Sequence, residues 1–241
     1  MPKSMLIVQN STLEGPGAFE LVLRACNVEY TTVDLQKGEA FPAPVDYGAV
    51  LVMGGPASAY DDTPVMHTEL DRIREALDAD IPYLGVCLGM QCLVKAAGGS
   101  VRKMKEPEIG FRDVDDAQFT IELTPDGKDD PLLRGCTTTL PVFHLHGDAA
   151  ELGEDMRLLG AGRRCTNQIV RVGPRAYGIQ GHFDLDEKLL RAWLESIPEL
   201  QNITQQTIID DWARLQPEYA RLSETILRNF LMIAGYIPLD A

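Results

Sequence analysis

Cys87 stands in the stretch Pro82-Tyr83-Leu84-Gly85-Val86-Cys87-Leu88-Gly89-Met90-Gln91, directly after a short apolar run and between two glycines. A thiol kept only for packing needs no glycine on either side. The spacing Gly85-Val86-Cys87-Leu88-Gly89 is that of a nucleophile on a sharp strand-to-helix turn, where small neighbours let the side chain project from the top of a sheet. The helix that starts there favours the thiolate through its free N–H groups and dipole. Cys26, Cys92, Cys136 and Cys165 lack this context and are expected to behave as small buried hydrophobes.

A cysteine nucleophile needs a base, and the chain has only four histidines: His67, His144, His146 and His182. His67 falls inside a helical pattern, away from any strand end. His182 follows the strand-like Tyr177-Gly178-Ile179-Gln180 and precedes Asp184 by two residues, the best local pair for a base oriented by a carboxylate. His144 and His146 alternate along one strand face, but no third ligand has suggestive spacing, so no metal is expected. For the oxyanion of acyl transfer, Gly54 and Gly55 in Met53-Gly54-Gly55-Pro56 offer unobstructed backbone N–H groups, and the Leu88 N–H follows the nucleophile. Neither a dinucleotide-binding glycine fingerprint nor a Walker-type loop is present, so a nucleotide-binding reading lacks its phosphate cradle.

These residues need elements that bring them together. Through the first hundred residues short β-like runs alternate with helical patterns, which predicts parallel strands with right-handed crossovers and a doubly wound α/β sheet. In such sheets ligands bind beyond the carboxyl ends of the strands, where Gly54-Gly55, Cys87 and His182 all fall. From about Val101 to Arg175, shorter runs with Gly, Pro and Asp punctuation predict a small antiparallel addition laid on the sheet. After Asp186 the pattern is helical, with a long stretch from Thr204 to about Ile233 interrupted or kinked near Pro217. The expected organisation is an α/β domain over residues 1–186 and a C-terminal helical extension, 187–241, packed on it.

Composition narrows the partners. Of 241 residues, 45% are hydrophobic, enough for one full core. A net charge of -14 repels nucleic acid and anionic membranes, and no apolar run is long enough for a membrane span or a signal segment. Five scattered cysteines without paired spacing fit free thiols in a reducing cytoplasm.

With these residues in view, the chain resembles the class I, triad-type glutamine amidotransferases, in the manner of a stand-alone GMP-synthase glutaminase. Pro82–Gln91 is close to that family's nucleophile motif, Met53–Asp62 resembles its oxyanion loop, and Tyr177–Asp184 takes the place of its His-x-carboxylate motif. Glu106–Phe111 and His146-Gly147-Asp148 look like its pocket segments. The resemblance spans about Met5 to Asp186 and implies a flavodoxin-like fold. It implies hydrolysis of the glutamine side-chain amide through a Cys87 γ-glutamyl thioester, with His182 as acid and base, Asp184 orienting it, and Gly55 and Leu88 holding the oxyanion. Gly54, Gln91, Gly110 and His146 would line the substrate pocket, no cofactor would be needed, and ammonia would pass to a separate synthase subunit. The family usually reads Phe-His-Pro-Glu where this chain has Gly181-His182-Phe183-Asp184. The shorter carboxylate and the lost proline predict a less firmly fixed imidazole, and the missing bulk at Gly181 predicts a wider pocket. Two other functions stay open: a γ-glutamyl peptidase or hydrolase with the same nucleophile, and a non-catalytic binding or regulatory protein with a degraded triad.

Overall fold

The runs Met5–Val8, Ala49–Val52, Tyr83–Val86 and Ala176–Ile179 are buried throughout, as strands covered on both faces by helices must be. In the computed structural model, which describes residues 3–238, they form the centre of a nine-stranded sheet. The first half of the chain alternates β1 (Met5–Gln9), α1 (Ala18–Ala25), β2 (Tyr30–Asp34), β3 (Ala49–Val52), α2 (Pro64–Asp78), β4 (Tyr83–Val86) and α3 (Leu88–Ala96). The second half runs β5 (Ser100–Gly110), β6 (Thr120–Leu123), α4 (Pro125–Asp129), β7 (Thr139–Pro141), β8 (His144–Glu151), β9 (Met156–Ala161), β10 (Asn167–Val172) and β11 (Ala176–Ile179). It ends with α5 (Glu187–Ser196), α6 (Pro198–Gln201) and α7 (Gln205–Ile233).

The strand order is β2-β1-β3-β4-β11-β10-β9-β6-β7, parallel from β2 to β11 and antiparallel beyond. The antiparallel strands therefore mostly extend the main sheet, where the sequence pattern suggested that they lie on it. Only β5 and β8 form a separate two-stranded ribbon. Register places the site: Val52 of β3 lies opposite Gly85 of β4, and Ile179 of β11 lies opposite Val86. The residues leaving these three strands consequently emerge side by side at one edge.

One face of the sheet is covered by α2 and α3, which bury Met66, Leu70, Ile73, Leu88 and Leu93. On the other face α1, α5 and α7 join one apolar cluster that includes Phe19, Leu23, Trp193, Tyr219, Ile226 and Phe230. Buried positions in α7 recur as Ile208, Trp212, Leu215, Tyr219, Leu222, Ile226 and Phe230, a helical stripe. Contrary to the interruption expected near Pro217, α7 is a single helix through that residue. The proline removes one donor, for the carbonyl of Ala213, but the continuous stripe holds the helix on the core on both sides of it.

Close approach of α3 to the sheet requires two glycines. A Cβ on Gly85 would lie 2.4 Å from the backbone carbonyl of Gly89, and one on Gly89 would lie 2.3 Å from the Val52 carbonyl oxygen. Gly89→Ala is therefore expected to cost about 2 kcal/mol or more, because backbone rather than a flexible side chain must give way. Denaturant unfolding measures this, and an unchanged midpoint would contradict it.

Candidate active site

The turn between β4 and α3 forces Cys87 into an unusual backbone conformation, φ 51° and ψ -108°. Few non-glycine residues adopt positive φ, and the state persists because both flanking elements fix it: Cys87 N–H donates to the Ile179 carbonyl at 2.8 Å, and its own carbonyl accepts from Gln91 N–H at 3.1 Å. The thiol sits at the N-terminus of α3, whose first-turn N–H groups have no intrahelical acceptor. Its Sγ lies 3.8 Å from the Leu145 carbonyl oxygen.

His182 leaves the neighbouring strand β11 and is fully buried. Its Nδ1 lies 3.2 Å from Asp184 Oδ1, and its Nε2 has no hydrogen-bond partner among the described residues. Burial works against the charged ring, but Asp184, by charge and hydrogen bond, and Cys87 outweigh it and hold His182 well above its ordinary range. Trp193 of α5 packs against the imidazole, ring centroids 4.9 Å apart at 81°. Where the family has a proline and a longer acid, the loop with Phe183 and Asp184 is held by contacts from other elements. His182 N–H donates to the Phe143 carbonyl at 2.9 Å and Ala18 N–H to the Asp184 carbonyl at 2.7 Å. From α7, the Tyr219 hydroxyl donates to the His182 carbonyl and the Ser223 hydroxyl to the Phe183 carbonyl.

A cavity of about 690 Å³ opens onto Cys87 and is lined also by Glu14, Gly55, Gln91, His146 and Lys103. Ser196 to Glu199, where α5 passes into α6, line one side of it. Gln91 is buried, its Nε2 bonded to Gln180 Oε1 at 3.1 Å and to the Asp148 carbonyl at 3.3 Å, so its amide is held inward. Gly54 is not among the lining residues; a Cβ there would meet Glu14, His182 and Cys87. Pro107 and Ile109, beside Gly110, line this cavity, while Gly110 itself faces an adjoining one of about 450 Å³ with Phe111, Ile203 and Ile208, its left-handed turn (φ 86°) ending β5 beside the C-terminal helices. Gly181 does not widen the pocket: a Cβ there would meet Val142 Cγ2 at 2.1 Å and His144 Cε1 at 3.2 Å, so its neighbours already fill the space.

Residues 19–188 match the family model described as glutamine amidotransferase class-I. The chain belongs to the class I glutamine amidotransferases. It is similar to the glutamine amidotransferase-like protein YfeJ of Salmonella typhimurium, 28% identical over 79% of this chain and 80% of that one. It is also similar to the glutamine-hydrolyzing GMP synthase of Bacillus subtilis, 30% identical over 55% of this chain but 23% of the synthase, so it matches only a part of that enzyme. Among solved structures, the glutamine amidotransferases of Methylobacillus flagellatus (TM-score 0.85, 25% identity, 97% of this chain and 96% of that) and Thermotoga maritima (0.83, 26%, 96% and 99%) share the fold over nearly their whole length.

Several residues around this cavity escape a reading of motifs. Glu14 lies five residues beyond the end of β1, inside the connection to α1, and lines the cavity beside Cys87. Glu108 is the third member of a buried group with His144 and His146, its Oε2 3.0 Å from His146 Nε2 and 3.8 Å from His144 Nε2. Three such ligand types so close can hold a metal in principle. Here Glu108 is already bound by Cys165 N–H and Gln168 Nε2, both at 3.2 Å, and His146 Nδ1 faces the Asp148 carbonyl at 3.0 Å. This network reads as a scaffold for the pocket wall. His144 is held well below its ordinary range by burial and by the neighbouring His146 and His182, and so stays neutral. All five cysteines are free, and burial pushes the Cys92, Cys136 and Cys165 thiols up, the latter two to about 11 and 12.

Tyr219 carries much of the support of the histidine loop, accepting from Phe143 N–H at 3.2 Å while donating to the His182 carbonyl. Tyr219→Phe should cost about 1–3 kcal/mol and lower turnover through the loosened loop. Thermal unfolding and steady-state rates check this, and unchanged values of both would contradict it.

Proposed function

We propose that the protein hydrolyses the side-chain amide of glutamine, or a γ-glutamyl amide, through a thioester on Cys87. The observation that carries this reading is the convergence of Cys87 and the His182–Asp184 pair around Gly54, from adjacent parallel strands, with Cys87 lining the cavity. The Cys87 thiolate attacks the amide carbon, and the backbone N–H groups of Gly55 and Leu88 receive the oxyanion. As the C–N bond breaks, the His182 imidazolium gives its proton to the departing nitrogen, and ammonia leaves. His182, now neutral, takes a proton from water, the resulting hydroxide attacks the thioester carbon, and glutamate departs as the thiolate reforms. Asp184 fixes the Nδ1–H tautomer so that Nε2 faces the reaction.

The matched GMP synthases are glutamine-hydrolyzing and the chain spans less than a third of their length, which supports a synthase as the acceptor of the ammonia. A second reading, hydrolysis of γ-glutamyl peptides, is favoured by the extent of the cavity, which reaches past the nucleophile to Lys103, Tyr60 and Glu199. Lys103 could there meet a carboxylate that free glutamine does not carry.

Ammonia release from glutamine and release of the amine product from γ-glutamyl peptides, followed side by side, distinguish the two substrates. Cys87→Ala is expected to lower either rate by roughly a thousandfold or more. Equal rates in wild type and variant would remove Cys87 from the mechanism. Asp184→Asn should reduce turnover less than loss of the thiol does, since it affects tautomer and orientation and leaves the nucleophile in place. A larger loss than that of Cys87→Ala would contradict the roles assigned.

A further inference from the structure

Glu14 is a buried carboxyl group for which the triad has no use. Its backbone is fixed midway along the β1–α1 connection: Glu14 N–H donates to the Ser11 carbonyl at 3.0 Å, and the adjoining Leu13 carbonyl accepts from Trp193 Nε1 at 2.8 Å, the same Trp193 that packs on His182. The side chain is directed over Gly54. A methyl group on Gly54 would lie 2.2 Å from Glu14 Oε2, 3.2 Å from His182 Cε1 and 3.3 Å from Cys87 Cβ. Three reactive side chains thus converge on the space that Gly54 leaves open, and the glycine pair has a purpose besides presenting N–H groups.

The charged and titratable groups facing Glu14 are His182 and Asp184 from the loop after β11 and Cys87 from the elbow, with Tyr60, Lys103, His146, Asp148 and Glu199 along the same cavity. Among the described residues no arginine or lysine pairs with it, and no hydrogen bond engages its carboxyl group. A buried carboxyl without a donor is costly unless the site uses it.

We propose that Glu14 is a positioning residue for catalysis, a second carboxylate at the Cε1 edge of His182 that, with Asp184 at Nδ1, holds the imidazolium against which the Cys87 thiolate forms. The inference rests on the Cys87–His182 pair of the proposed function, and not on which amide is cleaved. Burial pushes the Glu14 carboxyl up to about 7, with His182 drawing it down and Asp184 adding to the rise. The second negative charge therefore develops near neutrality. An anion there favours protonated His182, so removing it lets the ring lose its proton at lower pH.

The test is the rate of Cys87 alkylation by iodoacetamide across the pH range, read on the Cys87 peptide by mass spectrometry, for wild type, Glu14→Gln and Glu14→Asp. Loss of the His182 proton gives an alkaline ionisation in this profile. It is expected to move toward acid by about one pH unit in Glu14→Gln and to return most of the way in Glu14→Asp. An alkaline ionisation at the same pH in wild type and Glu14→Gln would overturn the proposal. Folding gives a second readout. The folded protein binds a proton on Glu14 that the unfolded chain, with an ordinary carboxyl, has already released, so the wild type loses stability as pH rises toward 7. Glu14→Gln should accordingly melt no lower than wild type on the alkaline side of neutral. A lower melting temperature with no displaced ionisation would mark Glu14 as structural and defeat the proposal. If the ionisation moves while neither glutamine nor γ-glutamyl peptides are hydrolysed by wild type, the proposed function fails and the assignment of Glu14 stands.

Discussion

The backbone of Cys87, held at φ 51° and ψ -108° between a central strand and the helix that follows it, is the constraint on which the rest of the site depends. A residue in that conformation costs on the order of 1–3 kcal/mol, and it survives only where its surroundings leave no alternative. Gly85 and Gly89 let α3 close down on β3 and β4, and the bond from Cys87 N–H to Ile179 ties the turn to β11. The same bond brings the histidine strand into register with the nucleophile strand. Local strain and global sheet order therefore act on one residue.

The second half of the chain matters because a nucleophile on a rigid elbow is of little use beside a mobile base. The loop from His182 to Asp184 is restrained by the sheet at Phe143, by α1 at Ala18, and by Tyr219 and Ser223 of α7. Trp193 of α5 bridges the imidazole and the Glu14 turn. The C-terminal helices are thus part of the site's support, and they also close one wall of the cavity. Where the family has a proline and a longer acid, this loop is packed by elements that lie outside the motif.

Chemistry carried by short stretches could be read without a structure. The elbow, the glycine pair and the histidine with its acid each sit immediately after an apolar strand, and the order of elements sufficed to place them on one edge of a parallel sheet. What escaped was set by contacts distant in sequence. Glu14 lies 168 residues from His182 in number yet meets it across Gly54, and nothing local to Leu13-Glu14-Gly15 signals this. The trio of Glu108, His144 and His146 arises from antiparallel pairing of β5 with β8, a register that no pattern of one strand reveals. The space read at Gly181 was misjudged for a related reason: a family's motif names a position, but the neighbours Val142 and His144 decide what space that position faces. Pro217 was overread because the apolar stripe of α7 outweighs one missing hydrogen bond.

The central claim is that Cys87 alone, among five free thiols, is an activated nucleophile shaped for a γ-glutamyl group. The most direct test is covalent labelling by a glutamine-like diazo-ketone, whose reactive carbon is attacked by a thiolate with loss of dinitrogen, followed by peptide mass mapping. The account predicts a stoichiometric thioether on Cys87, suppressed by excess glutamine or γ-glutamyl peptide and absent in Cys87→Ala. Labelling confined to the more exposed Cys26 and Cys136, with Cys87 untouched, would contradict it.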